Sequence, residues 1–277
     1  MVGHETPDGE HYDRVYGHFA DPVYAEIRAE AYGEDIGQNN WSTADEHRRF
    51  LAWLELTPAD RMLDVACGSG GPTIFLARES GCAAVGVDCS AEAVAYGNEL
   101  ARREQLSGKV EFDQVDADGQ LPYDDASFEA VVCLDAINHL ADRERALADW
   151  ARVLKPGGRL LFTDCITLTG LISDDEVASR SRIGHYVFAP LGEDTRLIGA
   201  VGLDLRITEN VTESLAVLSG RRLRARAARA EVLRQLEGQA AYEDHQDVLR
   251  VAEQLAVERR LSRFAYLAVS PGSPSSQ

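Results

Sequence analysis

The feature that most constrains this chain is a glycine-rich turn, residues 68–71, which joins a predicted strand to a predicted helix. The strand covers residues 61–66 and carries one acid, Asp64, and a second acid, Asp88, closes the next predicted strand. Glycines let a backbone approach a ligand closely, and an acid at the end of the second strand suits a ribose. The layout therefore predicts an adenine nucleoside site in an α/β fold.

Asp64 separates two kinds of nucleoside ligand. A dinucleotide brings a pyrophosphate, which a carboxylate beside the glycine turn would repel. A cationic ligand would be attracted instead. S-adenosylmethionine (SAM) carries a sulfonium and an ammonium group on an adenosine, so Asp64 favours SAM as the ligand.

Predicted strands and helices alternate through the middle of the chain. Further strands are expected at residues 83–88, 110–115, 130–134 and 159–164, with helices from residue 72, at 90–104 and at 142–153. Alternation of this kind predicts a parallel sheet with helices on both faces. Ligands of such sheets bind beyond the carboxyl ends of the strands, where the strand order reverses.

Several motifs in register resemble those of class I SAM-dependent methyltransferases. They are residues 63–72, 83–88, 116–128, 131–135 and 154–160. The resemblance covers residues 42–210 and implies a Rossmann-like, seven-stranded sheet, SAM as cofactor and methyl transfer. It implies that the cofactor is bound by Asp64, Gly68, Gly70, Asp88, Cys89, Asp116, Ala117 and Leu134.

The domain organisation follows from the segments outside this core. We expect an N-terminal helical lid at 1–58, the SAM-binding core at 59–210, a helical cap insertion at 211–261, the final strand at 262–270 and a disordered tail at 271–277. The first 15 or so residues are polar and expected to be mobile. Two long helices are predicted in the insertion, at 213–236 and 242–259.

Residues 32–41 combine glycines, acids, amides and aromatics, which is unusual for a simple connector. Related small-molecule methyltransferases close a segment at this place over SAM and the acceptor. We therefore expect a lid in which Gln38 contacts the cofactor and Tyr16, Tyr24 and Trp41 contact the acceptor. The alternative is a surface loop with an anchoring tryptophan.

A candidate base follows the fourth predicted strand, where His139 comes directly after Asn138. Asp164 ends the neighbouring strand, and an acid beside a histidine fixes its tautomer and raises its basicity. A His–Asp pair at these places also resembles the proposed base of some sugar and natural-product methyltransferases. Alternatively, His139 packs under the next helix and Asp164 caps a turn.

Further acceptor contacts are expected from Asn138 and from a segment that should fold back over the site. That segment contributes His185, Tyr186 and Phe188. The remaining histidines, His245 among them, are interpreted as peripheral. Arg222, Arg226 and Arg229 form a stripe that is interpreted as a solvated face paired with nearby acids, with a clamp for an anionic substrate as the alternative.

Charge and composition limit the partners. A net charge of −18 argues against a nucleic-acid groove. The five cysteines lack metal-ligand spacing, so no metal is expected. Without a predicted signal peptide or membrane span, we expect a cytoplasmic monomer or homodimer that acts on a small-molecule acceptor. A SAM-binding protein without methyl transfer and a lipid-modifying SAM enzyme remain alternatives.

Overall fold

The computed structural model describes residues 7–272, and the expected tail at 271–277 therefore lies mostly outside the described residues. The strands are β1 (Arg61–Val65), β2 (Ala83–Asp88), β3 (Val110–Gln114), β4 (Phe128–Leu134), β5 (Leu154–Leu168), β6 (Ala189–Pro190), β7 (Asp204–Asn210) and β8 (Leu261–Val269). The helices are α1 (Pro7–Gly17), α2 (Pro22–Tyr32), α3 (Ala44–Leu54), α4 (Gly71–Ser80), α5 (Ala91–Arg103), α6 (Arg143–Val153), α7 (Asp174–Arg180), α8 (Glu193–Ala200), α9 (Thr212–Ala227), α10 (Ala230–Glu237) and α11 (Gln239–Val257).

The predicted parallel α/β sheet is confirmed. Its strand order is β3-β2-β1-β4-β5-β8-β7, and the short β6 pairs with β5 beside this path. Strands β1 to β5 run parallel, whereas β8 is antiparallel to both β5 and β7. The sheet order thus contains the expected seven strands. The two-residue strand β6 is an addition that the sequence does not predict. The order reverses between β1 and β4, where the ligand site of such a sheet lies.

Local sequence signals set several helix boundaries. Thr43 and Glu46 form a capping box at the start of α3, in which each side chain bonds the other's backbone N–H at 3.2 Å. Ser90 caps α5 by accepting the N–H of Ala93. The apolar face of α6 packs on the sheet, with Leu147 and Trp150 fully buried.

Residues 7–17 form α1, and Asp13 accepts a hydrogen bond of 2.6 Å from the Ser90 side chain, which ties α1 to α5. The number of helices predicted in the insertion is wrong. The insertion contains α9, α10 and α11 where two helices are predicted, because the chain turns after α9 so that Leu233 of α10 packs against Val23 and Ile27 of α2.

Two residues at the reversal point have left-handed backbone conformations although neither is glycine. Ala66 follows β1 with φ of 54°, and Asp135 follows β4 with φ of 58°. Such conformations cost about 1–3 kcal/mol and persist where surrounding contacts impose them. Both strand ends therefore turn sharply at the expected ligand site. Within the described range, none of the helices is long and apolar enough to cross a membrane.

Candidate active site

A cavity of about 210 Å³ lies at the carboxyl ends of β1, β2 and β4. Its floor is the glycine turn and the strand ends. Its cover comes from α1, the loop between α2 and α3, α7, α9 and α11, which contribute residues such as Tyr12, Trp41, Arg180, Arg222 and Leu249. Elements from both ends of the chain thus enclose the site predicted from the core.

Asp64 lies in the floor of this cavity and is 2% exposed. Its carboxylate accepts a hydrogen bond of 2.5 Å from the Thr73 hydroxyl. Burial raises the pKa of Asp64 to about 7; the nearby Asp88 adds to the shift and the Thr73 hydrogen bond opposes it. A bound cation would favour the ionised carboxylate, so the position suits a positively charged ligand.

Asp88 closes β2 on the same side of the cavity. One carboxylate oxygen accepts the N–H of Gly68 at 2.8 Å, and the other accepts the N–H of Ser90 at 3.0 Å. Burial raises its pKa although these two backbone hydrogen bonds act against the shift. Each oxygen keeps lone-pair capacity for a further donor, such as a ribose hydroxyl.

The two glycines predicted to bind the cofactor, Gly68 and Gly70, occupy different surroundings. Gly68 lines the cavity with φ of +57°, and a Cβ there would lie 2.3 Å from the Tyr16 hydroxyl. Gly70 has φ of +77° and does not line the cavity; a Cβ there would meet the Phe112 ring at 2.4 Å. Gly68 therefore gives room on the ligand side, whereas Gly70 lets α4 pack on β3.

The residues present fit SAM. Two buried acids suit its ammonium and ribose, and Gly68 and Ser69 of the glycine turn line the cavity. The other predicted cofactor residues that line the cavity are Cys89, Asp116, Ala117 and Leu134. Gln38 does not line it, because its amide donates to the Glu34 carbonyl and accepts the N–H of Ile36 within the loop.

His139 lies at the cavity in a short 3-10 turn, Ile137–His139, after β4. Its Nδ1 is 2.9 Å from the backbone carbonyl of His185, and its Nε2 is 3.0 Å from the Tyr12 hydroxyl. A carbonyl oxygen only accepts, so Nδ1 carries a proton; when the ring is neutral, Nε2 then accepts from the Tyr12 hydroxyl. The ring is thus held with a basic nitrogen beside the cavity.

The predicted pairing of His139 with Asp164 is wrong. Asp164 is fully buried, and its carboxylate accepts a hydrogen bond of 2.7 Å from Arg143. The same guanidinium also forms an ion pair of 2.9 Å with Asp194. Arg143 further donates to the Val187 carbonyl and so holds the segment after α7. Burial and the neighbouring Asp164 raise the pKa of Asp194 to about 7. Asp164 therefore belongs to a buried ion-pair cluster outside the cavity.

The predicted acceptor residues divide into two groups. Tyr16, Trp41 and Tyr186 line the cavity. The others do not, and they are Tyr24, Asn138, His185 and Phe188. The Tyr24 hydroxyl donates a hydrogen bond of 2.6 Å to Glu237, which lies far along the chain. Asn138 is buried against Cys165. His185 contributes its carbonyl rather than its ring, and Phe188 packs in an apolar cluster.

Two cavity residues, Tyr12 and Arg180, carry no local signal in the sequence. Asp135, at the end of a family motif, also lines the cavity, as do Arg222 and His245. The interpretation of His245 as peripheral is wrong, because α11 crosses the cavity. The prediction that the arginine stripe is exposed to solvent is also wrong for Arg222 and Arg226, whose side chains are buried at 9% and 2% exposure. The expected pairing with acids holds for Arg226, bonded to Glu237 at 2.7 Å, and for Arg229.

Asp135 joins the loop between α2 and α3 to the core. It accepts the N–H of Trp41 at 2.8 Å, the Thr163 hydroxyl at 2.7 Å and Nε of Arg263 at 2.8 Å. Arg263 is fully buried and also bonds Glu46 at 3.0 Å. The loop that covers the cavity is therefore attached to the end of β4 by a buried charge network.

Comparison with known proteins identifies the family. A methyltransferase domain model matches residues 63–162. The 27-O-demethylrifamycin SV methyltransferase of Amycolatopsis mediterranei (strain S699) is 30% identical over 203 residues, which are 69% of this chain and 74% of that protein. Methyltransferase GfsG of Streptomyces halstedii is 33% identical over 204 residues, with coverage of 72% and 68%.

Solved structures share the fold at low identity. The [4+2]-cyclase SpnF superposes with a TM-score of 0.77 at 24% identity, covering 96% of each chain. Geranyl diphosphate C-methyltransferase from Streptomyces coelicolor A3(2), solved with S-adenosyl-L-homocysteine, gives 0.72 at 16% identity, covering 97% of this chain and all of that one. With the matched domain, the two relatives and the acidic nucleoside site, the chain belongs to the class I SAM-dependent methyltransferases.

Proposed function

We propose that this enzyme transfers the methyl group of SAM to a nitrogen, oxygen or activated carbon of a small-molecule metabolite in secondary metabolism. The observation that carries the proposal is His139, whose ring is held at the cavity with Nε2 as the accepting nitrogen. A base at this place suits a hydroxyl or a protonated amine, because either must lose a proton when it gains a methyl group.

The protein residues would divide the work between binding and proton transfer. Bound SAM supplies an activated methyl group on a sulfonium. Asp64, Asp88 and the Gly68 backbone would hold the cofactor, with Asp116 and Ala117 at its adenine. Nε2 of His139 would accept the acceptor's proton in place of the Tyr12 hydrogen bond. Much of the rate would come from holding the acceptor in line and excluding water.

The cover of the cavity supports a small acceptor. Tyr12, Trp41, Tyr186, Val248 and Leu249 surround the space with mostly apolar or aromatic surface. A polymer would need an open groove, whereas a metabolite can be enclosed. The name of the Amycolatopsis mediterranei relative, a 27-O-demethylrifamycin SV methyltransferase, favours an acceptor of natural-product size.

The decisive experiment is to incubate the protein with methyl-deuterated SAM and fractionated metabolite extracts, and to search for products that carry the label. The matched controls are His139→Ala, which should bind SAM but methylate poorly, and His18→Ala, which changes an exposed histidine. Labelled products from the wild type and from His18→Ala alone support the proposal. SAM binding without a labelled product from any extract contradicts it.

A further inference from the structure

Six arginines of the described chain are strongly buried, and their partners separate them into two groups. Four form ion pairs with carboxylates, and they are Arg28, Arg143, Arg226 and Arg263. The other two, Arg180 and Arg222, form no ion pair with any carboxylate of residues 7–272. Both of these line the cavity, whereas the paired four do not.

Arg180 is the more exceptional of the two. It ends α7, is 1% exposed, and none of its three guanidinium nitrogens has a hydrogen-bond partner among the described residues. Its guanidinium carbon lies 5.0 Å from the centre of the Tyr186 ring, which is neutral and cannot balance the charge. Arg222, by contrast, donates to the carbonyl and side chain of Asn39 and lies over the Trp41 ring.

Burying a charged group without a partner costs free energy, and an arginine cannot avoid that cost by losing its proton. A buried and uncompensated charge is strongly unfavourable, so a group of this kind is expected to meet an anion. The carboxylate of Asp135 also lines the cavity, but it is already bonded by Arg263, Thr163 and Trp41. The chain described here therefore leaves the position opposite Arg180 to a ligand.

The cavity is divided by charge. Asp64, Asp88 and Asp116 lie at the strand ends, where a cationic cofactor fits, while Arg180 and Arg222 come from the helices that cover the opposite wall. The same covering segments also contribute Ile183, Tyr186 and Val248, which are apolar or aromatic, and His245. A ligand that satisfies this wall has an apolar body and one negative group.

We propose that Arg180 binds a carboxylate of the methyl acceptor. One planar guanidinium with all its donors available matches one planar carboxylate in a two-point contact, and their charges cancel. A group that needs donors from both arginines, such as a dianionic phosphate, fits less well, because the two terminal nitrogens of Arg222 already donate to Asn39 whereas all three nitrogens of Arg180 lack a partner in the described part of the chain. The inference rests on the proposed function, because it describes the acceptor of the same site.

The first test uses benzoate as a probe, with benzamide as its neutral counterpart and phenyl phosphate as the alternative anion. Binding is measured by calorimetry on protein saturated with S-adenosylhomocysteine. Wild type should bind benzoate and not benzamide, and Arg180→Met should bind benzoate at least about tenfold more weakly. The matched control is Arg182→Met, which removes an exposed arginine paired with Asp244 and Asp247.

Several results would overturn the proposal. They are failure of the wild type to bind benzoate, equal benzoate affinity in Arg180→Met, and an Arg180-dependent preference for phenyl phosphate. Arg180→Met should unfold at the same or a higher denaturant concentration than the wild type, because it removes an uncompensated charge. Unchanged affinity for S-adenosylhomocysteine in this variant shows that the cofactor site is intact.

A second test separates this inference from the proposed function. Extract acceptors labelled by the wild type are passed over an anion-exchange resin. Retained products whose labelling is lost in Arg180→Met and kept in Arg182→Met support the carboxylate site. Labelled products that are neutral overturn this inference while the methyl-transfer function stands, and the absence of any labelled product contradicts the proposed function itself.

Discussion

The Tyr12 hydroxyl donates a hydrogen bond of 3.0 Å to Nε2 of His139, and the His185 carbonyl fixes the other ring nitrogen at 2.9 Å. The N-terminal helix thus contacts the side chain that follows β4 in the middle of the sheet. The bond occupies the nitrogen that would accept a proton during methyl transfer. An acceptor hydroxyl that binds there would take the place of Tyr12.

His139→Ala should lower turnover by about 10²–10⁴-fold if the ring removes a proton from the acceptor. SAM affinity, measured by calorimetry, should stay within a few fold of the wild type. Tyr12→Phe should retain far more turnover than His139→Ala, because the acceptor replaces its hydrogen bond. Nearly full turnover of His139→Ala on the true acceptor would contradict the assignment of a base.

Asp88→Ala should weaken SAM binding by about tenfold or more. The carboxylate is expected to accept hydrogen bonds from the ribose, and a hydrogen bond to a charged group contributes about 1.5–3 kcal/mol. Asp124→Ala, at an exposed loop position, is the matched control. An unchanged dissociation constant in Asp88→Ala would remove this residue from the cofactor site.

SAM affinity should rise with pH between about 6 and 8. Burial raises the pKa of Asp64 to about 7 in the free protein, and the cationic ligand favours the ionised form. Asp64→Asn should bind SAM more weakly at pH 8 and lose this pH dependence. The measurement is calorimetry across that range, and a parallel dependence in the variant would contradict the role of Asp64.

The same pKa predicts an effect on stability with a defined sign. The folded protein holds the Asp64 proton to a higher pH than the unfolded chain, so this group's contribution is present at low pH and is lost as pH rises through about 7. Ligand-free Asp64→Asn should therefore be more stable than the wild type at pH 8, by about 1–3 kcal/mol, and little different at pH 4. Urea unfolding at both pH values tests this.

The buried cluster around Arg143 should be structural. Arg143→Met leaves Asp164 and Asp194 buried without their cation, which should cost about 3–5 kcal/mol at pH 8. This loss of unfolding free energy should be smaller at pH 5, because Asp194, whose pKa is raised to about 7, is protonated there. Arg145→Met, at an exposed position of α6, is the control. Equal unfolding curves for Arg143→Met and the wild type would contradict this.

The loop before α3 should respond to the cofactor as a lid. Its attachment through Trp41 and Asp135 lies beside the predicted SAM site. Hydrogen exchange over residues 16–41 should slow when S-adenosylhomocysteine is added, because mobile lids become ordered around ligands. Residues 143–153 of α6 serve as an internal reference. Equal exchange with and without the ligand would mean that the loop is only a connector.

The sequence by itself determined the core and the cofactor end of the site. The glycine turn, the acids that close strands and the caps of helices are local signals, because each acts on residues a few positions away. Asp64, Gly68 and Asp88 therefore lie where the sequence predicts. The family's motifs predict one site because they follow strands of a parallel sheet, and the carboxyl ends of those strands meet at one edge.

Only the tertiary structure decided the partners of the buried charges and the cover of the cavity. Tyr12 and His139 are 127 positions apart, and Asp135 and Arg263 are 128 apart. The sequence alone allows Asp164 to face either His139 or Arg143, and the packing of α6 on β5 places it against Arg143. Arg180 looks like any surface arginine until its helix is placed, because the cost of an unpaired charge arises only when folding removes the water around it.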